Sequence, residues 1–139
     1  MTGIDAMLLA RRMDRLMRRL NAAFHQRAEP LDTDKVGPLG GMVIMALADL
    51  GPTPVSALTA ELGRDKSQMT RLIQMLERKG YVVRSSHPED KRVSVMALTE
   101  RGEAFTAQMR VILAEVAGDL LGSLSEGERA AFMESLGKI

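Results

Sequence analysis

The chain of 139 residues contains no cysteine. That excludes a disulfide framework, a thiolate metal site and a thiol redox sensor. Its only histidines are His25 and His87, which argues against a dedicated zinc or other transition-metal site. It has no run of 18 apolar residues, so no membrane-spanning helix is expected. Arg11 and Arg12 interrupt Met7-Leu8-Leu9-Ala10, so no secretory signal is read at the start, and the expected location is the cytoplasm. There is no glycine-rich phosphate loop and no nucleophile elbow, and the carboxylates are scattered. Neither an enzyme nor a bound cofactor is expected. Internal repeats and low-complexity tracts are also missing.

Segregated charge is present, although the net value is only +1. Residues 11–27 hold six arginines against Asp14, a local +5. Residues 64–92 hold eight basic residues against Asp65, Glu77, Glu89 and Asp90, a local +4. Residues 99–139 sum to −3. Two basic regions and an acidic tail suggest a polyanionic partner and a pairing between the chain's two ends.

Apolar periodicity predicts helices in most of the chain. Residues 4–28 carry Met13, Leu16, Met17, Leu20 and Phe24 on one stripe, with arginines over much of the remaining surface. Pro30, Asp32 and Asp34 mark a connection. Residues 38–50 are apolar almost all round and predict a buried helix, with Pro38 in its first turn. Gly40-Gly41 is unusual there, since each glycine costs about 1 kcal/mol against alanine in a helix interior. Thr53 is expected to cap a short helix over Val55–Leu62 with Pro54 as its first residue, and Gly63 ends it.

Asp65 caps the next helix, and Asp65-Lys66-Ser67-Gln68 fits a capping box. Met69, Leu72, Ile73 and Leu76 must face the core. The opposite side presents Lys66, Ser67, Gln68, Thr70, Arg71 and Gln74, donors and acceptors suited to base edges and phosphates. Ser67, Gln68 and Arg71 are expected at bases or nearby phosphates, Lys66 and Thr70 mostly at phosphate. Gly80 is the expected left-handed stop. Tyr81–Arg84 and Arg92–Leu98 read as the two strands of a wing around a polar loop, Ser85–Lys91. Thr99 caps a helix reaching about Leu121, with a stripe of Phe105, Met109, Ile112, Leu113, Val116 and Leu120. Ser125-Glu126-Gly127-Glu128 is a second capping box, opening a last helix with Phe132, Met133 and Leu136 inward. The fold class is therefore mainly α with a small β-wing: a winged helix-turn-helix lobe at 36–98, flanked by helical dimerisation segments at 1–35 and 99–139.

Val55-Ser56-Ala57-Leu58 through Lys79-Gly80-Tyr81-Val82, then Pro88-Glu89-Asp90-Lys91-Arg92 and Leu98-Thr99-Glu100-Arg101-Gly102, resemble the MarR (multiple antibiotic resistance) family of bacterial transcription regulators. Asp90-x-Arg92 followed by Leu98-Thr99, and Lys66-Ser67-x-x-Thr70-Arg71-Leu72, are the most specific parts. Gly40-Gly41 departs from the family pattern. The resemblance implies a homodimer with interlocking terminal helices, two winged helices facing a pseudo-palindromic double-stranded DNA operator, and no catalytic set. It also implies a repressor whose affinity falls when a small hydrophobic or aromatic-acid effector binds. It assigns Arg92 to the minor groove, where a narrow groove concentrates negative potential, and Asp90 to holding it. Arg84, His87 and Lys91 are expected at phosphates. Two other readings compete: a winged-helix protein-interaction module, and a ligand-binding protein that does not bind DNA.

Overall fold

The computed structural model describes residues 3–139. The elements run α1 (Ala6–Ala28), a 3-10 turn (Glu29–Leu31), α2 (Gly37–Leu50), β1 (Thr53–Pro54), α3 (Val55–Leu62), α4 (Lys66–Arg78), β2 (Val82–Ser86), β3 (Ser94–Leu98), α5 (Glu100–Leu120) and α6 (Glu126–Leu136). Two compact units are formed. One comprises residues 28–110, and the other 1–27 together with 111–139.

The 28–110 unit is built on a core of Val36, Val43, Ile44, Leu47, Leu58, Met69, Ile73, Leu76, Tyr81, Val82 and Met96. The predicted α4 stripe supplies Met69, Ile73 and Leu76, all fully buried. Each contributes about 2–3 kcal/mol of transfer free energy, so the helix face toward the core is fixed and the opposite face is left to solvent. Leu58 pins α3 in the same way. Gly63 closes α3 in the left-handed conformation, φ +60°.

Of the pair Gly40-Gly41, the first has a physical reason. A Cβ at Gly40 would lie 2.8 Å from Val36 Cγ1 and 3.3 Å from Met75 Cε, and one at Gly41 would touch the Phe105 ring at 3.9 Å. The missing side chain at Gly40 leaves room for Val36 and for Met75 of α4, whereas the Gly41 separation is an ordinary van der Waals contact. Helix α2 is less enclosed than its composition suggests: Val43, Ile44 and Leu47 are buried, whereas Met42 and Leu50 are exposed.

The sheet has three strands, not two, in the order β1-β3-β2 and antiparallel throughout. Thr53 pairs with Met96 and Pro54 with Val95. Thr53 is therefore a strand residue, and Pro54, with ψ 148°, takes the N-cap position expected for Thr53. Proline is tolerated because β1 is an edge strand. Strand β2 begins one residue later than expected, and β3 begins at Ser94, which leaves Arg92 in the wing turn. The third strand meets the need of an isolated hairpin for further support.

Apart from Thr53, the caps follow their sequence signals, one of them only in part. Ser125 and Glu128 form both bonds of a capping box. At Asp65 only the carboxylate half forms, accepting from the Gln68 N–H at 2.9 Å. Thr99 accepts from the Gly102 N–H at 3.2 Å and donates to the Gly80 carbonyl at 2.6 Å.

In the other unit, Arg27 forms ion pairs with Asp119 and, at 3.7 Å, with Glu115. The apolar stripes read as core are largely open to solvent in the single chain. Met13 and Met17 of α1 are each 52% exposed, and Met133 of α6 is 72% exposed. These side chains are not inward in one protomer, and the periodicity that identifies them cannot say which surface covers them.

Candidate nucleic-acid interface

Helix α4 presents Lys66, Ser67, Arg71 and Gln74 to solvent, with Gln68 and Thr70 half-buried. The Thr70 hydroxyl donates to the Lys66 carbonyl at 2.9 Å, so at a phosphate it acts as a donor only after rotating. Arg71 makes one long bond, Nε to the Ser67 carbonyl at 3.5 Å. Its terminal nitrogens have no partner among the described residues, which leaves the guanidinium fork available for bidentate recognition. The N–H groups of the first α4 turn add a partial positive charge on this side.

The end of α4 is equally well defined. Gly80 stands at φ +82°. The Tyr81 N–H donates to the Leu76 carbonyl at 2.9 Å, and the Gly80 N–H to the Glu77 carbonyl at 3.1 Å. This is a Schellman stop, and it turns the chain straight into β2.

The wing tip is held by its own polar groups. Asp90 Oδ1 accepts from the Arg92 N–H at 3.0 Å and from Arg92 Nε at 3.1 Å, and Oδ2 accepts from the terminal nitrogen at 3.3 Å. Arg92 is 91% exposed, so its guanidinium is paired with the carboxylate along one edge and open to solvent along the other. The Asp90–Arg92 pair expected from the sequence is thus formed. His87 donates its backbone N–H to the Val93 carbonyl at 2.8 Å, and its Nδ1 accepts from the Glu89 N–H at 3.0 Å. That bond occupies Nδ1 and leaves Nε2 without a partner among the described residues. Lys91 is exposed. Arg84 is engaged: it donates to Glu77 Oε1 at 3.0 Å, tying β2 to the last turn of α4. Its guanidinium is shared between that brace and any phosphate.

The side-chain hydrogen bond from Arg92, reinforced by the one from its backbone, holds the Asp90 carboxyl below the usual aspartate value. A group with a depressed folded pKa contributes its stabilisation above the unfolded value and loses it as pH falls through the folded value. The wing tip should therefore stay ordered at pH 5 and loosen only below the ordinary aspartate pKa of about 3.9. Carboxyl-carbon NMR should place the Asp90 midpoint under that value, and the midpoint should rise part of the way back in Arg92→Ala, which loses the guanidinium but keeps the backbone N–H. An unshifted wild-type midpoint would contradict the ion pair.

One cluster carried no local sequence signal beyond a connection. The Tyr81 hydroxyl donates to Asp34 Oδ2 at 2.6 Å, and Arg101 also donates to Oδ2. Lys79 donates to the carbonyls of Asp34 and, at 3.2 Å, Lys35. No metal-binding group of three or more His, Asp or Glu occurs among the described residues. No described helix is long and apolar enough to cross a membrane.

Comparison with known proteins agrees with this geometry. The profile of the MarR family matches residues 41–94. The repressor NicR of Pseudomonas putida is 29% identical over 98 residues, which cover 70% of this chain and 62% of NicR. The regulator SarZ of Staphylococcus haemolyticus is 32% identical over 95 residues, which cover 68% of this chain and 63% of SarZ. The match thus spans about three-fifths of either relative. The apo form of Escherichia coli MarR superposes with a TM-score of 0.78 at 24% identity, covering 94% of this chain and 95% of that one, a likeness of fold.

Proposed function

We propose that the chain is a transcription regulator of the MarR family, whose model matches residues 41–94, and that it acts as a homodimeric repressor that binds double-stranded DNA sequence-specifically. The observation that carries this reading is the presence, within one unit, of two solvent-exposed guanidinium groups. Arg71 projects from a helix face whose opposite side is fully buried, and Arg92 projects from a wing tip that Asp90 holds. Lys66, Ser67 and Gln68 accompany Arg71 at bases and phosphates, while Thr70, His87, Lys91 and Arg84 act on the backbone. Phosphate contacts set register, and the base contacts set sequence.

The dimer half of the proposal rests on the exposed apolar residues Met7, Leu8, Met13, Leu16 and Met17 of α1 and Met133 and Leu136 of α6. Large apolar side chains left exposed at helical spacing suit an interaction face, and the basic first helix suits an acidic C-terminal partner. In a two-fold dimer the half-sites lie about one DNA turn apart, roughly 34–36 Å. A small hydrophobic or aromatic-acid effector belongs to the same reading. Its test is a thermal-shift screen for compounds that also release DNA.

The experiment for the whole proposal is selection of binding sites from a randomised duplex library, with sedimentation of the protein and of its complex. A pseudo-palindromic site bound by a dimer is expected. Failure to enrich any sequence would reject DNA recognition. Met13→Glu/Met17→Glu changes side chains that a lone chain leaves open, so it should keep the fold, sediment as a monomer and lose specific binding. A variant that still sediments as a dimer would place the interface elsewhere.

A further inference from the structure

The cluster around Asp34 ties together four segments of the 28–110 unit. Asp34 lies in the loop before α2. Lys79 is the C-cap of α4, Tyr81 leads into β2, and Arg101 is in the first turn of α5. The Asp34 carboxylate receives the Tyr81 hydroxyl and the Arg101 guanidinium on one oxygen. Arg101 also donates to the Lys79 carbonyl at 2.9 Å and stacks over the Tyr81 ring, 4.8 Å from its centroid. That ring also meets Phe105 of α5 at a centroid separation of 5.6 Å, nearly perpendicular.

The loop is itself shaped to bring Asp34 into place. Asp32 accepts from the N–H groups of Val36 and Gly37 at 2.9 and 2.8 Å. Lys35 is the only non-glycine residue with positive φ among those described, at +56°. A left-handed lysine is unfavourable and persists only where its surroundings over-determine it. Here the Lys79 ammonium holds the carbonyls on both sides of the Lys35 Cα. Networks of this sort fix direction more than they add net stability, because apolar side chains of equal volume often stabilise as well or better. None of these residues lies on the Lys66–Arg71 face or at the wing tip.

We propose that Asp34 is a positioning residue for DNA recognition: with Arg101, Tyr81 and Lys79 it clasps the C-terminal end of α4 and the start of β2 at a set angle to α2 and α5. The inference rests on the DNA-binding reading above. Its contribution is to sequence discrimination. Angular error at the helix end misplaces Arg71 against a base edge, where hydrogen-bond geometry is demanding. Non-specific attraction to phosphate depends on net charge and tolerates the error.

The test uses the full-length protein, the duplex selected by the wild type, and a random-sequence duplex of equal length at the same salt concentration. Asp34→Asn keeps an acceptor for Tyr81 and removes the ionic partner of Arg101. Asp34→Ala removes both. The selected site should lose about tenfold in affinity with Asp34→Ala and less with Asp34→Asn, while affinity for the random duplex changes by less than about twofold. Tyr81→Phe should fall between wild type and Asp34→Ala. The double variant Asp34→Ala/Arg101→Ala should lose less at the selected site than the sum of the two single losses, since the two groups share one bond. Equal losses on both duplexes, or an unchanged ratio between them, would overturn the proposal and leave the cluster a purely structural one. If wild type enriches no site at all, the DNA-binding reading fails instead, and the two failures are distinct.

Discussion

Gly102→Ala should lower stability by about 2–3 kcal/mol, roughly 10 °C in Tm for a chain of this size. Gly102 is buried in the first turn of α5. A Cβ there would fall 2.3 Å from the Tyr81 carbonyl oxygen and 3.0 Å from Leu98 Cδ2. Neither can retreat easily. The Tyr81 oxygen accepts the Thr99 N–H at 3.1 Å, and Leu98 is paired with Val82 in the sheet. Helix propensity acts the other way, since alanine is favoured over glycine by about 1 kcal/mol. Contact with fixed backbone outweighs it. A Cβ at Gly118, later in the same helix, would have nothing within 4 Å of it in the single chain, so Gly118→Ala should hold Tm level or raise it. Thermal unfolding of both variants decides the matter: an undiminished Tm for Gly102→Ala would mean that α5 does not meet β2 and β3 as described.

The largest effect on DNA should come from losing either exposed guanidinium, with different signatures. Arg71→Ala removes a fork suited to a guanine edge, worth about 1–3 kcal/mol of discrimination per half-site. In a symmetric complex the loss is counted twice, so about 2–6 kcal/mol, or thirtyfold and upward. It should appear as relaxed preference at one base position in each half-site. Arg92→Ala should instead weaken binding to most sequences and reduce the salt slope by about one per wing. Competition binding across single-base operator variants, repeated at several salt concentrations, separates the two. An Arg92→Ala protein with an unaltered salt slope would remove the wing from the interface.

Much of the lobe was legible because its signals are local. The α4 stripe, the Gly63 and Gly80 stops, the Thr99 cap and the Ser125 capping box each depend on residues close to one another in the chain. Strand β1 was not legible, since two residues carry no period and Thr53-Pro54 matches a helix start equally well. The same limit hid the engagement of Arg84 by Glu77, which depends on how the wing folds back on α4. What covers the stripes of α1 and α6 was not legible, because an amphipathic pattern marks a face for burial without saying against what. The Asp34 cluster was illegible for a plainer reason: nothing in an aspartate before a helix indicates a tyrosine and an arginine far along the chain.

That separation has a consequence for how the chain acquires its shape. The Asp34–Arg101 bond closes a loop of 67 residues, whereas the Glu77–Arg84 bond closes one of seven. Loop-closure entropy grows with length, and contacts distant in sequence form late and slowly. The helical turns, the Schellman stop and the hairpin are available early during folding. The clasp closes only after they are in place, so the final tilt of α4 is among the last features to be set as the chain folds.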